Sequence, residues 1–260
     1  MNILAFDTCF GACSVAVTWW DRVELAPPKQ RYRGSASRFE RLHKGHAERL
    51  MPMIEEVLVE TPIGIEQVER IVVTLGPGTF TGVRIGVAAA RAFALATGAK
   101  VHGAGSLHLM SRQACATFFH ERCVEVLGPE AGEIPRWLHQ EFARKDVAIA
   151  VDARRDEVYF QLFGGDLHRP LTEPLLVAPD HALSWLRERE TLVAGSGGER
   201  LCAAARKADR DLVPRLADLE PNARYLAGMG DTENLDPPHP LYLRPPDARP
   251  QDGKSLARAS

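Results

Sequence analysis

The chain has 260 residues, of which 45% are hydrophobic and 25% charged, with a formal net charge of −2. This is ordinary globular usage in a chain long enough to bury a sizeable core. A near-neutral balance argues against a protein that grips nucleic acid by itself, since such domains carry a clear positive excess. The most apolar stretch, 83–97, holds Arg84 and Arg91, so no membrane-spanning helix is predicted. The N-terminus has no basic region, and Asp7 lies where a signal peptide would be apolar. The cysteines Cys9, Cys13, Cys115, Cys123 and Cys202 follow no metal or disulfide spacing. A reduced, cytoplasmic protein with free thiols is the expectation.

In chain order, residues 2–7 form an apolar run ending in Asp7, and 13–19 run back beyond Gly11, which predicts a hairpin. Residues 22–42 read as a third strand followed by an exposed loop. Ala47, Leu50, Met51, Ile54, Val57 and Leu58 keep helical spacing, so 45–60 is predicted as an amphipathic helix that Pro52 must accommodate. A buried-type strand at 70–75 enters Gly76-Pro77-Gly78-Thr79-Phe80-Thr81-Gly82 and then an alanine-rich helix over 82–97 that stops at Gly98. A short strand at 100–102 and a helix over 107–115 follow. Residues 116–146 give no motif beyond one more amphipathic helix around Trp137, Leu138 and Phe142.

At Val147 the opening pattern returns: an apolar strand to Asp152, a turn, and a strand over 157–163. This suggests two related halves. The second is thinner, with strands near 170–177 and 191–194 and helices near 180–189, 199–208 and 221–229. The last thirty residues are rich in proline and read as an extended tail.

Several residues could carry chemistry. The 76–82 turn could hold an anion on the helix N-terminus, but no lysine of a P-loop follows, and a plain strand-to-helix connection is the simpler reading. Asp7 and Asp152 each end a strand at a turn, where paired carboxylates hold Mg²⁺ beside phosphate or merely cap the turn. Gly195-Ser196-Gly197-Gly198 could admit a purine, or be a simple turn. His43 and His46 lack a third ligand, which leaves a metalloprotease reading with little support. Gly82, Gly86, Ala90 and Ala94 form one small-residue face, suited to packing on the chain's own sheet or on another subunit.

These motifs together resemble the bacterial TsaB family, also called YeaZ. The resemblance rests on Ile3–Thr8 and Ala12–Ala16, on His46 with Leu50–Ile54, and on the block 76–86 with Ala88–Ala96. Ser106-Leu107, the run Val151–Tyr159 and Tyr242-Leu243-Arg244 agree in order. The resemblance implies an α/β, actin-like ATPase (ASKHA) fold of two RNase H-like halves, the second reduced. The halves are expected at 1–112 and 147–230, with an inserted segment at 113–146 that is longer than the family usually has, and a tail at 231–260. It implies a non-catalytic subunit that dimerises with and activates TsaD, the transferase that makes N6-threonylcarbamoyladenosine in tRNAs reading codons that start with A. TsaE is the further partner, tRNA is met through the complex, and a homodimer is expected when the chain is alone. ATP and Mg²⁺ are used by the complex, and none is held firmly by this chain. Family members pair through first-half helices, so Gly82, Gly86, Ala90, Ala94, Leu50 and Ile54 are the candidate interface. Asp7, Gly76, Gly78, Thr79 and Asp152 become a vestigial phosphate and metal region. Cys9-Phe10 stands where small residues are commoner, which counts against a phosphate there. The alternative is an independent ATP-dependent phosphotransferase of the same fold.

Overall fold

A computed structural model describes residues 1–22, 31–129, 134–165, 169–229 and 238–244. Two mixed five-stranded sheets organise them. The first has β1 (Ile3–Asp7), β2 (Ala12–Arg22), β3 (Arg31–Arg41), β4 (Arg70–Thr74) and β5 (Lys100–Ala104) in the order β3-β2-β1-β4-β5. β1 pairs antiparallel with β2 and parallel with β4. The second has β6 (Asp146–Asp152), β7 (Val158–Gly164), β8 (Leu175–Val177), β9 (Thr191–Ala194) and β10 (Pro214–Leu216) in the order β10-β9-β6-β7-β8. β6 pairs antiparallel with β7 and parallel with β9. Read from β3 and from β8, the two sheets have one topology.

The helices repeat in the same way. α1 (His46–Val59), α2 (Phe80–Thr97) and α3 (Ser106–Leu127) follow β3, β4 and β5. α5 (Pro179–Ala182), α6 (Gly198–Lys207) and α7 (Ala223–Met229) follow β8, β9 and β10. Only α4 (Arg136–Ala143) has no counterpart among the described residues. The second half is shorter at almost every step: α2 has 18 residues and α6 has 10, while α3 has 22 and α7 has 7.

Local sequence explains the main boundaries. Thr79 caps α2 by accepting the Gly82 N–H, and Gly98 closes it in the left-handed region that glycine tolerates. Pro52 lies within α1 on its exposed side, where it removes one N–H while Leu50, Met53, Ile54 and Val57 stay buried. α1 and α2 cover one face of the first sheet through Leu4, Phe6, Val15, Val17, Ile71 and Val73. α5 and α6 cover the matching face of the second sheet.

The halves exchange helices on their other faces. α3, which leaves the first sheet, packs Leu107, Met110, Ala114, Cys115 and Phe118 on Val147, Ile149, Val151 and Phe163 of the second. α7, which leaves the second sheet, packs Ala223, Leu226 and Ala227 on Ile3, Ala5, Ala16 and Val72 of the first. The two-layer core is therefore continuous between the halves.

Several predicted boundaries are corrected. The segment after residue 22 places its strand last, at Arg31–Arg41, because that stretch pairs with β2 along its whole length; the exposed loop after it is confined to 42–45. The helix expected to start over 107–115 runs to Leu127, across the boundary expected at residue 112, because the second sheet gives Ala114, Cys115 and Phe118 an apolar seat. The strand near 170–177 shortens to Leu175–Val177, and the helix near 180–189 to α5 plus a 3-10 turn at Leu183–Trp185. Of the tail expected at 231–260, residues 238–244 are described, with Leu241 packed on the first core, and the rest lies outside the described residues. α2 is long and apolar enough to cross a membrane by length and composition alone, but Gly82, Val83, Gly86, Val87 and Ala90 are buried against the sheet.

Candidate functional site

The cleft between the halves is built on the turns that follow β1, β4, β6 and β9. It contains two adjoining hollows, of about 380 and 650 Å³, which share Phe10, Thr79, Asp152 and Arg154. Asp152 is exposed there; its Oδ1 accepts the Arg154 N–H at 3.1 Å and pairs with Arg200 at 3.3 Å. It caps its turn. Asp7 has no exposure at all. Its carboxyl accepts the Thr74 hydroxyl at 2.5 Å and the Cys9 N–H at 3.3 Å, and the Cys9 thiol bonds to Thr74 Oγ1 at 3.2 Å. Burial pushes the Asp7 carboxyl up to about 7, against the opposing pull of the Thr74 hydrogen bond. Burial and the neighbouring Asp7 push the Cys9 thiol well above its ordinary value, so it is no nucleophile. Asp152 lines both hollows, whereas Asp7 lines neither.

The glycine turn is filled by the chain itself. A Cβ at Gly76 would lie 2.7 Å from the Leu241 carbonyl oxygen, and one at Gly78 would lie 2.6 Å from that of Cys9. A Cβ at Gly82 would overlap the Thr8 carbonyl oxygen. The Thr79 N–H donates to Cys9 O at 2.7 Å, and the Gly82 N–H donates to Thr79 Oγ1 at 3.1 Å. Thr8 Oγ1 donates back to Gly82 O at 2.7 Å. The turn after β1 thus lies along one side of the start of α2: Cys9 O takes up the Thr79 amide and the Thr79 hydroxyl that of Gly82, while Thr79, Phe80 and Thr81 stay exposed to the hollows. The 195–198 turn is closed in the same way. The Gly197 N–H donates to Ala150 O at 2.9 Å, and a Cβ at Gly197 would lie 2.8 Å from Val158 Cγ1. Ser196 Oγ accepts the Asp152 N–H at 3.1 Å.

His46 Nε2 lies 2.9 Å from Phe10 O, and His43 sits in the exposed loop before α1. Among the described residues no three His, Cys, Asp or Glu side chains converge on a metal position.

The small-residue face of α2, part of the candidate interface, points into the chain instead of outward. Gly82, Gly86 and Ala90 are buried on the chain's own sheet, and Ala94 is half-buried beside them. A Cβ at Gly86 would lie 2.9 Å from Thr8 Oγ1 and 3.2 Å from Val73 Cγ2. Leu50 and Ile54 are core residues under α1. None of the six presents itself to a partner, because small side chains are what let α2 lie close over β1 and β4. The outward side of the two helices carries other apolar residues, with Leu95 91%, Val59 86% and Met51 45% exposed. Ala88 and Ala92 are exposed beside Leu95. Their positions, off the buried stripes of α1 and α2, were the available signal.

Comparisons with known proteins agree along most of the chain. A family model described as TsaD, tRNA N6-adenosine threonylcarbamoyltransferase, matches residues 40–124. The tRNA threonylcarbamoyladenosine biosynthesis protein TsaB of Haemophilus influenzae is 27% identical, covering 94% of each chain. TsaB of Escherichia coli is 28% identical over 94% of this chain and 95% of its own. YeaZ from Pseudomonas aeruginosa superposes with a TM-score of 0.61 at 25% identity, covering 88% of this chain and 91% of the other.

Over most of its length the chain is similar to TsaB (YeaZ) proteins.

A second structure, described as an uncharacterized protein with similarity to peptidase YeaZ from Pseudomonas aeruginosa, superposes with a TM-score of 0.64 at 25% identity. It covers 94% of this chain and 99% of its own. The fold is accordingly the actin-like, RNase H-like one, and the TsaB family supplies the frame for the repeated halves and the reduced second one.

Proposed function

We propose that this chain takes part in tRNA threonylcarbamoyladenosine biosynthesis as a cytoplasmic docking subunit with no catalysis of its own, which binds and activates the transferase TsaD. TsaE, tRNA and ATP with Mg²⁺ enter through the complex, and this chain holds no nucleotide or metal firmly. The observation that carries the reading is the filled turn. Thr8 and Cys9 occupy the start of α2, and Asp7 is sealed behind them. Two amides of that helix start, those of Thr79 and Gly82, are already taken, which counts against an independent phosphotransferase.

The docking surface is the outward face of α1 and α2, not the small-residue face. Residues 40–124, which match the TsaD model, include both helices. The transferase then has a related helix pair, and two related pairs can meet about an approximate twofold axis with like patches facing. Leu95, Val59 and Met51 supply apolar area at the centre of such a contact. The same face allows two copies to pair when TsaD is absent.

Titration of TsaD with Leu95→Asp and Met51→Asp variants tests this. Both side chains are exposed in the free chain, so the melting temperature is expected within about 2 °C of wild type. Affinity for TsaD is expected to fall by about tenfold to a hundredfold, the effect of a charge buried in an apolar contact. Unchanged affinity in both variants would place the interface elsewhere.

A further inference from the structure

We propose that residues 238–244 are a clasp that fastens the second half to α2 and sets the width of the cleft. Three contacts anchor the segment to the first half. Arg91 donates to Pro238 O at 2.7 Å, and the Leu241 N–H donates to Leu75 O at 2.7 Å. The Tyr242 ring lies 5.2 Å from Phe80, and its hydroxyl accepts from Arg84 Nε at 3.0 Å. The Arg84 guanidinium also sits 3.6 Å over the Phe80 ring, so all three side chains form one stack. Leu241 packs on the first core, and its carbonyl occupies the space that a side chain at Gly76 would need. The glycine at the end of β4 therefore accommodates the clasp.

The other end grips the second half. Arg244 donates to Ala153 O at 2.8 Å and pairs with Glu157 at 2.5 Å. Ala153 and Glu157 bracket the turn between β6 and β7, where Arg154, Arg155 and Asp156 all have positive φ, near 53–60°. Such a run costs free energy in residues with side chains and persists only when its surroundings hold it. Arg200 holds it from one side, through Asp152 and Asp156. Arg244 holds it from the other. The shared α3 and α7 layer joins the halves at their inner faces, and the clasp is a second link, across the mouth of the smaller hollow. Two links at separate places fix an angle that one alone leaves soft. This inference does not depend on which partner meets α2.

The test is a distance between the halves in the full chain. Ala96→Cys and Ser184→Cys place spin labels on exposed positions of α2 and of the second half, while the native cysteines are buried. Pulsed electron resonance is expected to give one narrow distance distribution for the otherwise wild-type chain. Arg244→Ala and Glu157→Gln are each expected to add a longer-distance population. Hydrogen exchange of the 152–158 amides should rise by about tenfold while that of β1 and β4 stays unchanged. Glu157→Gln keeps the size of the side chain, so it decides the matter if Arg244→Ala does not fold. Distributions in Glu157→Gln and in folded Arg244→Ala that superimpose on the wild type would overturn the clasp.

Discussion

The turn after β1 and the turn after β6 start from the same unit, a strand ending in Asp, a short turn and an antiparallel return strand, yet they end in opposite environments. Asp7 is sealed: Thr74 and Cys9 bond to it, Thr8 and Cys9 cover the start of α2, and Glu220 receives the Gly11 N–H at 3.0 Å. Asp152 stands in the cleft and shares Arg200 with Asp156. The difference comes from what each turn packs against. The first turn is pressed on an 18-residue helix through glycines, whereas the second meets a 10-residue helix and projects beyond it. One ancestral-type unit thus gives a buried structural carboxyl in one half and a solvated turn cap in the other. Neither arrangement leaves two carboxylates facing a shared cation.

The sharpest way to break this comparison is at the helix starts. Gly82→Ala puts a methyl group into the Thr8 carbonyl, whereas Gly198→Ala meets Val193 Cγ1 at 3.3 Å and little else. Gly82→Ala is expected to cost about 3 kcal/mol or more, and Gly198→Ala less than about 1 kcal/mol. Chemical denaturation of both variants measures this. Equal losses would mean that the two turns are packed alike. Gly86→Leu belongs with Gly82→Ala: with Thr8 Oγ1 and Val73 in its way, it should unfold the chain instead of selectively blocking a partner.

Next in size is the pH dependence of Asp7. In the folded chain its carboxyl stays protonated to about pH 7, whereas the ordinary value is 3.8. Between these values the folded state holds more protons than the unfolded one, so this group lowers stability as pH rises through the window. Above about pH 7 the loss is complete and flat, on the order of 4 kcal/mol. Asp7→Asn should therefore remove a downward slope between pH 4 and 7, whatever its baseline stability, and Asp152→Asn should keep that slope. Melting curves across this range compare them. A slope that survives Asp7→Asn would show that Asp7 titrates normally.

The smallest expected effect is at Arg200. Its ion pairs with Asp152 and Asp156 are exposed, so Arg200→Ala should change stability by no more than about 1 kcal/mol, and less at high salt. A larger loss would make the left-handed turn depend on Arg200 more than on Arg244.

Much of the first half was legible from local pattern. The apolar runs 2–7 and 13–19, the stripe Leu50, Ile54, Val57 and the glycine stop at 98 each state their element directly. Duplication was legible too, because Asp7 and Asp152 end similar runs. Three features were not. Helices α3 and α7 exchange sheets, and no local window records which sheet a helix will meet. Residues 116–127 have weak helical periodicity, since only Phe118 and Cys123 are buried there while the apolar Val124 and Val126 lie exposed. The small face of α2 suits a close approach to any surface, and only the position of Thr8 and Val73 shows that the surface is the chain's own. Leu95 is readable as an outward position, since it lies opposite the Gly82, Gly86, Ala90 stripe, although small-residue spacing alone points to the stripe.

The central claim, a docking subunit whose vestigial site is filled by its own chain, is tested most directly by reconstitution. Transfer of the threonylcarbamoyl group to tRNA would be measured for this chain alone, for TsaD with TsaE and ATP-Mg²⁺, and for the full mixture with wild type or Leu95→Asp. The account predicts no transfer by the chain alone, a rise in transfer when wild type joins TsaD, and little rise with Leu95→Asp. Transfer or ATP turnover by the chain alone that disappears in Asp152→Ala would contradict it, as would full TsaD activity without the chain.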